Sequence, residues 1–283
     1  MAPAIRPTYI GRFAPSPSGP LHFGSLVCAL ASYLDAKRHG GKWLLRIEDI
    51  DPPREQPGAA DAIKHTLEAH GLYWDGEVRY QSQRADAYWD CLNTLKKLAL
   101  VYACSCPRAR LASLNGRYDG YCRLHPPAVD EPCALRLKVT DLPEKFRHIR
   151  NAIEFVDHVH GAQKEDIAQV SGDFVIHRKD GLFAYQLAVV VDDIDQGITN
   201  VVRGSDLLDT TARQIFLYHI LGKKPPEYSH IPVVKDEHGN KLSKQNHAEA
   251  VDVQQARSNI DKALAFLGYS PSQVETYLDL VRK

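Results

Sequence analysis

The fold is decided by residues 8–47: Thr8-Tyr9-Ile10-Gly11-Arg12-Phe13, then Ala14-Pro15-Ser16-Pro17-Ser18-Gly19-Pro20-Leu21, then a run from His22 to Gly41, then Lys42-Trp43-Leu44-Leu45-Arg46-Ile47. The first six residues read as a short strand. Three prolines and a glycine make the next stretch a loop, because proline lacks the amide hydrogen that regular structure needs. From His22 onward Phe23, Leu26, Val27, Leu30 and Leu34 follow the i, i+3, i+4, i+7 stripe of an amphipathic helix, which Gly40-Gly41 ends. Lys42–Ile47 then reads as a second strand. Strand, loop, helix and strand in 40 residues form a βαβ unit and predict a parallel sheet.

Beyond this unit the apolar spacing predicts helices near 59–70 and 83–100, the second with Tyr88, Leu92, Leu95 and Leu98 on one stripe. Residues 101–130 are rich in Cys, Arg, Gly and Pro and read as irregular, and 131–170 read as a polar insertion. Asp173–Ile176 returns to strand character. Tyr185–Val191 suits a buried helix or strand, Thr210–Leu221 a helix, and Val274, Tyr277, Leu278 and Val281 an amphipathic terminal helix.

Composition narrows the class. The chain has 283 residues, 44% of them hydrophobic, enough for a substantial core without disulfides. Lys and Arg number 35 and Asp and Glu also 35, so the formal net charge is +0. A protein that holds nucleic acid through its overall field is basic, so any RNA contact must be carried by local charge. The first residues lack the apolar core of a secretory signal, and no run approaches a membrane span. A cytoplasmic location without membrane contact is expected.

Three local patterns carry chemistry. A helix that starts directly after a strand and loop presents free amides and a positive dipole end, which suits an anion. His22 and Ser25 on its first turn can donate to phosphate oxygens, and Gly24 lets a flat base or ribose come close. The second pattern is Lys241-Leu242-Ser243-Lys244-Gln245: two cations three apart with a hydroxyl between can surround a polyphosphate. The third is Cys104, Cys106 and Cys122, three of the six cysteines, which suit a tetrahedral zinc. Tyr118, Tyr121 and His125 are candidates for the fourth position, and imidazole is the commoner ligand. Cys28 reads as core, and Cys91 and Cys133 as structural. Asp192-Asp193-Ile194-Asp195 reads as an acidic loop start in preference to a metal site.

Taken together, Arg12–Ser25 and Lys241–Gln245 resemble the "HIGH" and "KMSKS" signatures of class I aminoacyl-tRNA synthetases. The longer string Arg12–Ser25, with Arg46-Ile47-Glu48-Asp49, Tyr185-Gln186-Leu187-Ala188 and Val202-Arg203-Gly204-Ser205-Asp206-Leu207-Leu208, resembles the glutamyl and glutaminyl subgroup, in the family's order across residues 8–250. Three positions depart from the signatures: Ser25 replaces the last histidine, Leu242 the methionine, and Gln245 ends the lysine loop. In these respects the chain resembles the branch that glutamylates the queuosine base of tRNA(Asp).

The resemblance implies a class I catalytic domain, α/β and Rossmann-like, with a zinc-bearing inserted segment and a short helical C-terminus. Its expected borders are 1–100 for the first catalytic half, 101–170 for the zinc-binding, acceptor-type insertion, 171–250 for the second half with the lysine loop, and 251–283 for the C-terminal segment. It implies activation of L-glutamate by ATP and transfer to queuosine in the anticodon arm of tRNA(Asp). His22 and Lys244 are the implied catalytic residues. His22, Gly24, Ser25, Lys241, Ser243 and Lys244 are implied for ATP, with Mg2+ on its phosphates. Arg12 and Arg203 would meet the carboxylates of glutamate, Glu48 its ammonium, and Ser16 and Tyr185 would add hydrogen bonds. For the structural Zn2+ it implies Cys104, Cys106, Tyr118 and Cys122. The chain stops about 40 residues after the lysine loop, so no anticodon-binding domain is expected, and a monomer is expected as well. The competing expectations are a truncated glutamyl-tRNA synthetase that charges the 3′ end of tRNA(Glu), another adenylate-forming transferase, and a non-catalytic RNA-binding module.

Overall fold

The computed structural model describes residues 8–235, 239, 242 and 249–270. They form two compact units, one of residues 1–82, 198–207 and 226–283, the other of 83–197 and 208–225. The segment expected as an insertion, 101–170, thus lies wholly inside the second unit, which also takes in residues on either side of it.

In the first unit, strands β1 (Ile10–Phe13), β2 (Lys42–Ile47) and β3 (Arg79–Tyr80) form a parallel sheet. Ile10 lies opposite Lys42, Phe13 opposite Leu45, and Ile47 opposite Tyr80. Strands β9 (Asn200–Gly204) and β10 (Glu227–Ile231) form a second parallel pair. Thr199 joins the two sets: its amide donates to Ile10 O at 2.9 Å, its hydroxyl accepts from Ile10 N at 2.9 Å, and its carbonyl accepts from Glu227 N at 2.8 Å. The resulting order, β3-β2-β1-β9-β10, is that of a doubly wound sheet, whose ligands bind beyond the carboxyl ends of the strands.

Helix α1 (Phe23–Arg38) is the expected crossover, and its stripe is buried: Leu26, Val27, Leu30 and Leu34 face Trp43, Leu45 and Ile47. Trp43 is fully buried, and its indole nitrogen donates to Ser32 Oγ at 2.8 Å, so the largest core side chain is satisfied. Helix α2 (Ala59–Ala69) adds Ile63 and Leu67 to this core. Helix α9 (Ala256–Phe266) adds Ile260, Ala263 and Leu264.

The second unit carries helix α3 (Ala85–Lys97) and the antiparallel sheet β4 (Val101–Cys104), β5 (Ala134–Leu137) and β8 (Phe174–His177). Short helices α4 (Arg108–Ser113) and α5 (Tyr121–Leu124) follow β4. The hairpin of β6 (Ala152–Asp157) and β7 (Gly161–Asp166) leads to α6 (Ile167–Val170). Helices α7 (Tyr185–Asp195) and α8 (Leu208–Ile220) complete the unit.

Two expectations change here. Residues 101–130 are not irregular throughout, because Val101–Cys104 finds strand partners in β5, which apolar spacing cannot show. Asp192–Asp195 is the end of helix α7, not a loop start. Tyr88 donates to Asp192 at 2.7 Å and Arg84 bonds Asp192 and Asp195, so these carboxylates are held by side chains from the start of α3 and the residue before it. The terminal stripe at 274–281 lies outside the described residues.

Candidate active site and cysteine cluster

The carboxyl ends of β1, β2 and β9 bear buried charges. Arg12 is 4% exposed, Arg46 0%, Glu48 8% and Arg203 5%. Burying an ionised group costs several kcal/mol unless it is paired, so this clustering calls for partners. Arg46 Nη2 lies 3.4 Å from Glu48 Oε1 with both side chains nearly inaccessible. The Glu48 amide donates to Pro15 O at 3.0 Å, which fixes the proline-rich loop beside the end of β2. Asp49 accepts from the amide and hydroxyl of Ser82 at 2.8 and 2.7 Å, so it holds the turn after β3. Arg203 donates from Nε to His230 Nε2 at 2.9 Å.

His22 is the N-cap of α1. Its ring accepts from Ser25 N at 3.3 Å, and its Nε2 lies 3.0 Å from Ser25 Oγ. The two residues expected at the nucleotide are therefore joined to each other at the helix start. Gly24 has a second reason to lack a side chain: a Cβ would lie 3.1 Å from His22 Cε1 and 3.6 Å from Val234 Cβ. Ser16 is exposed in the loop before this helix. Tyr185 opens α7 in the second unit. Lys241, Ser243 and Lys244 lie outside the described residues.

The thiols of Cys104, Cys106 and Cys122 lie within 4.8 Å of one another in the second unit. The hydroxyl of Tyr118 is 3.4 Å from Cys104 Sγ and 3.6 Å from Cys106 Sγ, and Cys106 Sγ is 3.4 Å from Cys122 Sγ. A zinc tetrahedron with bonds of about 2.3 Å to sulfur and about 2.0 Å to oxygen has edges of roughly 3.8 and 3.5 Å. The Tyr118 hydroxyl stands at that spacing from Cys104 and Cys106, and the three thiols are close enough together to share an ion. His125 is exposed, bonds Tyr121 O through Nδ1 at 3.1 Å and stacks on Tyr121, so of the three candidates for the fourth position Tyr118 is the one against the thiols. Burial pushes the Cys104 thiol up, but hydrogen bonds to Tyr118 and Arg136 outweigh it and bring it down to about 7. Burial, with its Cys122 and Cys104 neighbours, pushes Cys106 up to about 11. The guanidinium of Arg136, 3.7 Å from the Tyr118 ring centroid, supplies positive charge beside Cys104.

A family model for the catalytic domain of class I tRNA synthetases of the E and Q type matches residues 10–275. The chain belongs to this family. It is 52% identical over 262 residues to a glutamyl-Q tRNA(Asp) synthetase of Vibrio cholerae, a match covering 93% of this chain and 83% of the relative. A protein of the same name from Escherichia coli K12 is also 52% identical, over 92% of this chain and 81% of its own length. Among solved structures, a glutamate tRNA ligase of Elizabethkingia meningosepticum in complex with its amino acid superposes with a TM-score of 0.72 at 29% identity. That match covers 84% of this chain and 52% of the ligase, so the chain spans about half the length of that solved structure.

As a class I synthetase of this type the chain is a ligase. Arg12, Glu48 and Arg203, expected from the motifs, are all buried at strand ends, and the motifs do not point to Arg46 beside Glu48 or His230 beside Arg203. His230 and Tyr228 drew no attention, because nothing in EYSHI marks them until β10 is set in register against β9. Arg203 then falls opposite His230. Among the described residues, no helix is long and apolar enough to cross a membrane.

Proposed function

We propose that the protein activates L-glutamate with ATP and transfers the glutamyl group to the queuosine base of tRNA(Asp). The observation that carries the glutamate half is the set of buried charges at the strand ends. Two arginines suit the two carboxylates of glutamate, and bidentate pairing favours arginine over lysine. Glu48 suits the ammonium. The names of relatives 52% identical over more than nine-tenths of the chain support the acceptor.

In the first step an oxygen of the α-carboxylate attacks the α-phosphorus of ATP. The bond to the β-phosphate breaks, and pyrophosphate leaves; magnesium bound to ATP would offset charge on its phosphates. No protein nucleophile is required; the protein aligns the partners and stabilises charge. His22 and Ser25 at the α1 N-terminus face the phosphates with the helix dipole behind them, and Lys241, Ser243 and Lys244 supply the lysine loop. In the second step a hydroxyl of the queuosine diol attacks the activated carbonyl, and AMP departs. Cys104, Cys106, Tyr118 and Cys122 would hold a structural Zn2+ that ties the end of β4 to α5 and takes no part in either step.

An electrically neutral chain must contact RNA through local charge. The second unit has an open groove of about 680 Å³, beside the cysteines, whose rim includes Arg108, Arg178, Lys179 and Asp180. Arg178 is paired with Asp180, whereas Arg108 and Lys179 make no ion pair among the described residues. This supports a small footprint on phosphates, whose salt dependence scales with the few cations involved.

The test uses ATP, labelled glutamate and bulk tRNA, followed by nuclease digestion. Label on queuosine is the expected result. Label on the 3′ terminal adenosine would instead favour ordinary charging of tRNA(Glu), the alternative suggested by the likeness to glutamate tRNA ligases.

A further inference from the structure

We propose that His230 is a positioning residue that fixes the Arg203 guanidinium and thereby selects which of its edges meets a carboxylate. This rests on the reading of Arg203 as a carboxylate-binding residue and adds a specific geometry to it.

The two residues stand opposite each other on parallel strands β9 and β10. Both are buried, Arg203 at 5% and His230 at 0% exposure. Arg203 Nε lies 2.9 Å from His230 Nε2. Guanidinium has only donors, so the imidazole must accept at Nε2, and it is then neutral with its proton on Nδ1. A doubly protonated ring has no acceptor and would face a like charge. Tyr228, two residues earlier on the same face of β10, flanks the pair: its ring stacks on His230 at 5.9 Å and 12°, and Arg203 Cζ lies 5.3 Å from its centroid. Leu207 O accepts from Arg203 Nη2 at 3.4 Å.

A guanidinium can hold a carboxylate bidentately along its side, through Nε and one terminal nitrogen, or end-on through both terminal nitrogens. With Nε given to His230, the side-on arrangement is closed. A substrate carboxylate is met by the terminal nitrogens, and rotation of the fork about its own stem is locked. Without the histidine acceptor the fork loses the bond that fixes its Nε edge, and a larger share of its entropy is lost on binding. His230 thus acts on glutamate only through Arg203.

The experiment is ATP–pyrophosphate exchange with the full chain, reading KM for glutamate, KM for ATP and kcat. In His230→Gln the amide oxygen reaches about the place of Nε2 and can accept from Arg203. In His230→Asn the oxygen falls short, and in His230→Leu there is none. Glutamate KM is expected to rise about tenfold or more in His230→Asn and His230→Leu, the loss of one hydrogen bond to a charge. It should stay within about threefold of the parent in His230→Gln, with ATP KM nearly constant throughout. If His230→Leu does not fold, the comparison of Gln with Asn decides alone. Equal glutamate KM in the Gln and Asn variants, or a joint loss of both affinities, kcat and melting temperature, would overturn the inference. Arg203→Ala separates the two levels: an unchanged glutamate KM there removes the carboxylate reading itself, whereas a large rise there with no effect of His230→Asn removes only the role of His230.

Discussion

Replacing Gly172 by alanine tests how closely the seat of Tyr118 is built. Gly172 holds φ +64°, and a Cβ there would run into the carbonyl oxygen of Tyr118, with the carbonyl carbon and amide nitrogen of that residue at 3.0 and 3.2 Å. A left-handed backbone costs a residue with a side chain about 1–2 kcal/mol. The collision also drives the two segments apart, and the first contact to go is the hydrogen bond from Tyr118 N to Ser171 O at 2.9 Å. That bond contributes about 0.5–1.5 kcal/mol. The sum is about 1.5–3.5 kcal/mol, or roughly 3–14 °C of melting temperature for a chain of this size. Gly181→Ala is the control, because Gly181 is also left-handed at φ +88° but a Cβ there meets nothing within 4 Å. It should show the backbone cost alone. Thermal unfolding followed by circular dichroism, with and without added zinc, reads the difference. Gly172→Ala should also bind zinc more weakly, since Tyr118 is displaced from the thiols. Equal losses in the two variants, with equal zinc affinity, would refute the packing described.

Three further outcomes are expected. Arg12→Ala should lower kcat/KM for glutamate by about 1.5–3 kcal/mol, roughly 13- to 160-fold, in ATP–pyrophosphate exchange, and a native rate would remove Arg12 from the site. Protein prepared without chelator should contain about one zinc per chain by elemental analysis; Cys104→Ser or prolonged chelation should lower the melting temperature while glutamate activation partly survives, and metal-free native protein would contradict this. Burial holds His70 below its ordinary value of 6.5. The unfolded chain therefore takes up the proton first, so stability is full above about pH 6.5 and falls as the pH drops below it. Urea midpoints should show a shallower acid loss in His70→Gln, and an identical slope would argue against this histidine as a source.

Much of the first unit was legible because local rules and tertiary structure agree there. The stripe from Leu26 to Leu34 could only be a helix, Lys42–Ile47 could only follow it as a strand, and both stand as read. The charged residues Arg12, Glu48 and Arg203 were legible through motif order, and the three cysteines through ligand chemistry. What escaped was decided by long-range partners. Val101–Cys104 is a strand because β5 lies beside it, and Asp192 stays in a helix because Tyr88 and Arg84 satisfy its carboxylate. His230 comes beside Arg203 only when β10 takes its register on β9. The choice of Tyr118 over His125 likewise depends on which ring turns toward the thiols. Spacing does not encode that.

The acceptor is tested most directly by supplying tRNA(Asp) with and without queuosine, together with ATP and labelled glutamate, and locating the label after nuclease digestion. Label is expected on the queuosine nucleoside, none on queuosine-free tRNA(Asp), and no dependence on an intact 3′ terminal ribose. Label that requires that ribose, or that appears equally on tRNA lacking queuosine, would contradict it.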